Sequence, residues 1–309
     1  LPDRKAHAPH RKSCFRISFY HPIKIFAKRK STTSLIYSLL SFISYLLLKI
    51  PSAFKCFTDQ LLADGSRGRR ASESTLLDIC DQRASVVALC IDSISQIIHH
   101  LAYTVSYNPK WKIPNWVAYE LTREETYGDV PRRKKFTPDP LVKGYRVQHS
   151  DYSNSGYDRG HMAPAADMKW AEQAMRESFY MTNVCPQNQS LNRGDWNDLE
   201  ELARDWARKY GSIYIACGPL VSEKYHTIGQ NSRITVPNAF YKVFLRKTST
   251  SWTAIGFVMP NQAGSRPLMT YMLSIDEVEQ LSGIDFFYNL PDSIEDSIEK
   301  DFRVRDWNL

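Results

Sequence analysis

The chain has 309 residues, of which 43% are hydrophobic and 24% charged. These values suit a globular protein of one large domain or two small ones. Thirteen glycines and 16 prolines exclude a collagen-like or low-complexity chain, and six cysteines without a CxxC pair argue against a structural zinc site. The net charge of +7 says little about what the folded part binds. Residues 1–95 carry 15 Lys+Arg and 7 Asp+Glu, so the remainder is close to neutral.

The chain starts with Leu1 rather than Met, which fits a fragment, a processed product or an over-extended translation. Residues 4–30 hold nine basic residues and no acidic one, and they form a basic N-terminal segment over 1–30. The uncharged 18-residue run from Ser31 to Leu48 follows, inside a hydrophobic segment over 31–50. A basic flank before an apolar run is the layout of a signal or membrane anchor. Three readings stay open for this region: an export or membrane-anchoring segment, a mitochondrial presequence with an anchor, or sequence that is not native coding. Residues 51–93 read as a linker, with turn signals in Asp64-Gly65-Ser66-Arg67-Gly68. The apolar run Ala84–Ile91 fits either a helix or a strand.

From residue 94 to 309 the pattern is that of one α+β domain. Tyr103–Tyr107 and Trp116–Leu121 read as strands, separated by the Asn108-Pro109 and Pro114-Asn115 pairs. Tyr180–Val184, Ser212–Ala216, Phe240–Leu245 and Trp252–Val258 are further strand candidates. The clearest helix runs from Asp195 to Gly211. Trp196, Leu199, Ala203, Trp206 and Tyr210 form one apolar stripe on it. A second helix covers Ile275–Gln280, opened by Ser274 and closed near Gly283. A third lies in the acidic tail, Asp292–Asp301.

The stretch Asp158-Arg159-Gly160-His161-Met162-Ala163-Pro164-Ala165 carries the chemistry. A single His beside Arg and Asp is more often structural. Its company changes that: Asn183, then Asn192 nine residues on, then Glu200 eight further. Eight residues turn a helix by about 80°, so Asn192 and Glu200 can reach one site.

At these residues the sequence resembles the DNA/RNA non-specific endonucleases. The resemblance rests on Tyr157–Asp167, on Phe179–Gln187 and on Leu191–Glu200, in that order. It continues through Cys217-Gly218-Pro219, Thr235-Val236-Pro237, Ile275–Glu279 and Gly283–Phe287, and it covers about Tyr103 to Asp301. It implies a ββα-metal finger (His-Me finger) domain with a central antiparallel sheet flanked by helices. It implies a Mg²⁺-dependent endonuclease acting on DNA and RNA and leaving 5′-phosphate ends, with Mn²⁺ able to replace Mg²⁺. His161 then matches the general base, and Asn192 the one direct metal ligand. Glu200 acts on the metal through water, and Asn183 supports the site. Arg159 and Arg204 bring positive charge to the phosphate. Arg193 and the loop run that includes Arg133 and Lys134 are further substrate contacts. A homodimer is within what the resemblance allows.

Plainer readings stand beside these roles. Glu200 could simply pair with Arg204 one helical turn on. Arg159 could pair with Asp158 or a carbonyl, and the 132–135 run could be a solvated face. Cys185 and Cys217 fit buried free thiols, or a disulfide in an exported protein. Two rival functions remain: a non-catalytic nucleic-acid-binding module on the same fold, and a hydrolase of some other phosphodiester. The motif wording at Asp167-Met168-Lys169-Trp170 favours an exported or membrane-anchored enzyme, with mitochondria as the alternative.

Overall fold

The computed structural model describes residues 94–229, 233–300 and 302–309. The basic, hydrophobic and linker segments over 1–93 lie outside the described residues, as does the 84–91 run. No described helix is long and apolar enough to cross a membrane.

A seven-stranded antiparallel sheet forms the frame. In chain order its strands are β1 (Gln96–His99), β2 (Thr104–Asn108), β3 (Ile113–Thr122), β6 (Ser212–Leu220), β9 (Ala239–Lys247), β10 (Trp252–Pro260) and β11 (Met272–Leu273), and they pair in that order. Two small ribbons stand apart: β4 (Asp158–His161) with β5 (Val184–Gln187), and β7 (Thr227–Ile228) with β8 (Ile234–Thr235).

Strand alternation sends neighbouring side chains to opposite faces. Phe240 and Phe244 of β9 join one core, while Tyr241, Val243 and Leu245 join the other. Both faces are therefore apolar, and each is covered. The first core receives helix α3 (Asp195–Tyr210) through Trp196, Leu199, Ala203 and Trp206. The earlier helices α1 (Glu172–Ser178) and α2 (Gln189–Arg193) precede it in the chain. The second core receives α4 (Ile275–Ser282) and α5 (Asp292–Glu299) through Ile275, Val278 and Ile298. The last helix, α6 (Val304–Trp307), returns Trp307 to the first core, where its carbonyl accepts the Trp206 indole N–H at 2.7 Å.

Most expected elements form, with informative shifts at their ends. The stripe on α3 faces the core as read, and Gly211 caps it at φ 97°. On α4, Ser274 and Glu277 make a reciprocal capping box, and Gly283 closes the helix in the left-handed region. The Pro114-Asn115 pair does not separate strands but lies inside β3. Pro114 faces Tyr107 where the β2–β3 register shifts, which is where a strand tolerates a missing N–H. The expected strand over Tyr180–Val184 is corrected: Met181–Asn183 is a 3-10 turn, and β5 begins at Val184. β1 was not expected, being only four residues and half exposed.

Candidate active site

The hairpin of β4 and β5 runs directly into α2 and α3, a ββα unit. Gly160 sits opposite Cys185 in this hairpin. A Cβ at Gly160 would overlap the fully buried Gln187 side chain, so only glycine lets β4 close on β5 there. Gly160→Ala is expected to cost about 1–3 kcal/mol by overpacking, read as a lower denaturant midpoint.

His161 ends β4 and is 7% exposed. Its ring lies against Phe136 at 4.9 Å and edge-on to Phe179 at 5.0 Å between centroids. Nε2 is buried and has no hydrogen-bond partner among the described residues. Burial, and then the nearby Arg132 charge, push the imidazole down to about 3. The ring is therefore neutral at any ordinary pH.

Asn183 grips the chain just past His161. Its side-chain oxygen accepts from the Ala163 N–H at 2.9 Å. Its amide donates to the carbonyls of Ala163 and Ser178 at 2.8 and 2.9 Å. The 3-10 turn aims it inward, and it is fully buried. It supports the loop after His161 and does not line the cleft described below.

Asn188 caps α2, accepting from Ser190 N–H at 2.9 Å. Gly194 then breaks the chain between α2 and α3, with φ −112° and ψ −114°. Asn192 is thus on α2 and Glu200 on α3, not on one continuous helix. The Asn192 amide donates to Asp158 at 3.0 Å. Arg193 clamps the same Asp158 carboxylate through Nε at 2.8 Å and Nη2 at 3.0 Å. With its nitrogen held, Asn192 is left with Oδ1 as an oxygen donor, and it accepts no hydrogen bond among the described residues.

Glu200 is largely buried, and burial pushes its carboxyl up to about 7. Lys242 of β9 opposes this from 3.7 Å, beyond hydrogen-bond reach. The Lys242 ammonium lies 4.3 Å from the Trp196 ring centroid.

His161, Asn192 and Glu200 line one cleft of about 330 Å³, together with Arg132, Arg159 and Arg193. Arg159 also donates to the His149 carbonyl at 2.7 Å. It does not pair with Asp158, which Arg193 and Asn192 occupy.

Other expectations shift. Arg204 does not line the cleft and makes no ion pair with Glu200. It donates to the buried Asp167 at 2.9 Å, and Tyr119 donates to the other oxygen of that carboxylate at 2.9 Å. Arg133 and Lys134 are exposed and do not line the cleft, whereas Arg132 does. Cys185 and Cys217 are free and buried rather than bonded, and burial pushes Cys217 up to about 12. Lys242 and the bracing by Asp158 were missed. Asp158 lay in the quoted motif, but nothing in the sequence marked Lys242 as facing inward.

The donors present fit a hard divalent cation: a positioned amide oxygen and a carboxylate, both facing a cleft that admits phosphate. A thiolate or imidazole-rich site would indicate a softer metal.

Known nucleases are similar to this chain in sequence and in fold. The DNA/RNA non-specific endonuclease family matches residues 87–293. Human mitochondrial endonuclease G is 34% identical over 215 residues, covering 65% of this chain and 72% of that protein. The mitochondrial nuclease EXOG of Xenopus laevis is 35% identical over 207 residues, covering 62% of this chain and 58% of that one. Nuclease C1 of Cunninghamella echinulata is 36% identical over 205 residues, covering 61% and 81%. Among solved structures, endonuclease G in complex with its inhibitor matches with a TM-score of 0.60 at 33% identity. That match covers 64% of this chain and 88% of the other. The chain belongs to the DNA/RNA non-specific endonuclease family.

Proposed function

We propose that this chain is a metal-dependent endonuclease that hydrolyses phosphodiester bonds in both DNA and RNA. The observation that carries this is the convergence of a neutral imidazole, an oriented amide oxygen, a buried carboxylate and three arginines on one cleft. His161 takes the proton from the attacking water. Its ring is fixed by Phe136 and Phe179, so the acceptor nitrogen needs no reorganisation. Asn192 Oδ1, braced through Asp158, would hold Mg²⁺, or Mn²⁺ in its place, and Glu200 would orient water around it. When bound, such a cation would supply positive charge to offset what builds up at the phosphate during cleavage. Arg159 and Arg132 supply further positive charge to the phosphate. Such contacts touch the backbone rather than base edges or the 2′ hydroxyl, so both polymers fit. The products carry 5′-phosphate ends.

Incubating the chain with supercoiled plasmid and with single-stranded RNA, in Mg²⁺ or in EDTA, tests this. Cleavage of both polymers that EDTA stops is the expected result. A folded protein that cuts neither in Mg²⁺ would leave a non-catalytic binding module or a different phosphodiester as the better reading.

Arg132→Ala is expected to weaken polymer binding and lower the slope of log affinity against log salt by about 1. Arg133→Ala and Lys134→Ala are expected to change that slope less, since neither lines the cleft. A fluorescence titration across salt concentrations separates them.

For localisation we favour mitochondria over export or membrane anchoring through residues 31–50. The human and frog relatives are both named as mitochondrial. Residues 1–93 fused to a fluorescent protein should reach that organelle if the reading is right. A homodimer is also proposed, to be checked by sedimentation.

A further inference from the structure

On the sheet face away from the cleft, α4 and α5 bring three carboxylates together. One oxygen each of Asp276, Glu279 and Glu299 lies within 4.8 Å of the other two. Asp276 and Glu279 are three apart on α4 and share a side of that helix. Glu299 ends α5, where the helix dipole already disfavours a negative charge. It is only 8% exposed, and its Oε1 is buried without a hydrogen-bond partner. Glu295, one turn earlier, leaves its own Oε1 in the same condition. Glu279 accepts one bond, from the Phe286 N–H at 2.7 Å. Among the described residues, no Lys, Arg or His forms an ion pair with any of the three. The nearby Lys300 lies 3.8 Å from Asp296 instead, and both are exposed.

Such a cluster is costly unless something positive enters it. Burial and the surrounding acidic groups push Glu299 up to about 8 and Glu279 up to about 7. The buried, unpartnered Glu299 oxygen marks where a counter-charge would sit. We propose that the α4–α5 junction is a binding site for a divalent cation of calcium's size, distinct from the nuclease cleft and independent of the reading given to it. Opposed oxygens around Ca²⁺ at about 2.4 Å are about 4.8 Å apart, so three oxygens lying within 4.8 Å of one another can all reach one such ion. Mg²⁺, at about 2.0–2.1 Å, needs a tighter cage and gives up its waters reluctantly. A bound ion would tie α5 to α4 and to the sheet both helices cover.

The test uses the full chain carrying Asn192→Ala, so that the cleft's cation ligand is removed, after treatment with EDTA and dialysis. Added Ca²⁺ is expected to raise Tm saturably, by about 5–10 °C at a hundredfold excess over Kd. Adding Glu299→Gln to this background should abolish the rise. In EDTA that variant should melt no lower than its parent, because a neutral amide of the same shape replaces a buried carboxyl crowded by other acidic groups, so loss of the response is not loss of folding. No rise with Ca²⁺ overturns the proposal, as does a rise that survives Glu299→Gln. A rise matched by Mg²⁺ at the same concentration overturns the assignment to a calcium-sized ion.

Discussion

Replacing His161 with alanine is expected to lower DNA and RNA cleavage about 10²–10⁴-fold, the usual worth of a positioned general base. His161 is the one imidazole lining the cleft among the described residues. The effect should fall on turnover rather than on binding, because the ring is too buried to hold a polymer. Near-ultraviolet circular dichroism checks that the variant stays folded. Stability adds an independent readout. A histidine held at about 3 when folded and near 6.5 when unfolded contributes stability that is full above pH 6.5. That stability is lost as pH falls toward 3, because only the unfolded chain takes up the proton. His161→Ala removes this slope, so wild type and variant should converge in urea midpoint on acidification. The opposite shifts of His161 and Glu200 also shape the expected pH–rate profile. An acid limb of kcat/KM near pH 7 is expected from Glu200, whose carboxyl is pushed up to about 7, rather than from His161, which burial pushes down. Raising the cation concentration should move that limb to lower pH, since cation and proton compete for the same charge. A limb that stays in place sinks the assignment.

What the sequence reveals about this site follows from distance along the chain. The residues from Asp158 to Glu200 fall in one ββα unit, so their chemistry is adjacent in sequence and readable there. The α3 stripe and the Ser274 and Gly283 ends of α4 are local signals, and both helices form where those signals place them. β5 gives no such signal, because all four of its residues are buried and no alternation survives. Asn183 was expected in a strand, supporting the site; it sits instead in a 3-10 turn, and its inward placement depends on backbone groups at Ala163 and Ser178. Arg204 lies one turn from Glu200 and invited a local pair. It takes instead a carboxylate 37 residues away, already anchored by Tyr119. Lys242 lies inside the expected strand Phe240–Leu245, yet it is 1% exposed and faces Glu200. Only the packing of β9 under α3 makes it part of the site.

That packing leads to the second large effect. Glu200→Gln and Lys242→Met are each expected to destabilise the chain by about 3–5 kcal/mol, and the two together by far less. Each single change strands a buried charge, and the double change strands none. The pair at 3.7 Å is loose, so mutual attraction alone does not explain its presence in the core. The looseness leaves the Glu200 oxygens free to hold water, which suits a carboxylate acting on a cation from one water away. The cost of Lys242→Met should depend on pH. Without the ammonium, the Glu200 carboxyl rises further above its unfolded value near 4.5, and it can escape the cost by keeping its proton. A raised carboxyl contributes stability that is present below pH 4.5 and lost as pH rises through the folded value. The variant should therefore lie near wild type at pH 6 and fall well below it at pH 8.5. Urea unfolding of the four proteins at both pH values reads this directly. Cleavage assays then separate stability from function. The double variant should be folded yet at least about 10²-fold slower, because the group that orients the cation's water is gone. Lys242→Met alone should recover activity as pH rises, up to the point where it unfolds. If the two single costs simply add in the double variant, the residues are not coupled and Lys242 has no part in setting the charge of Glu200.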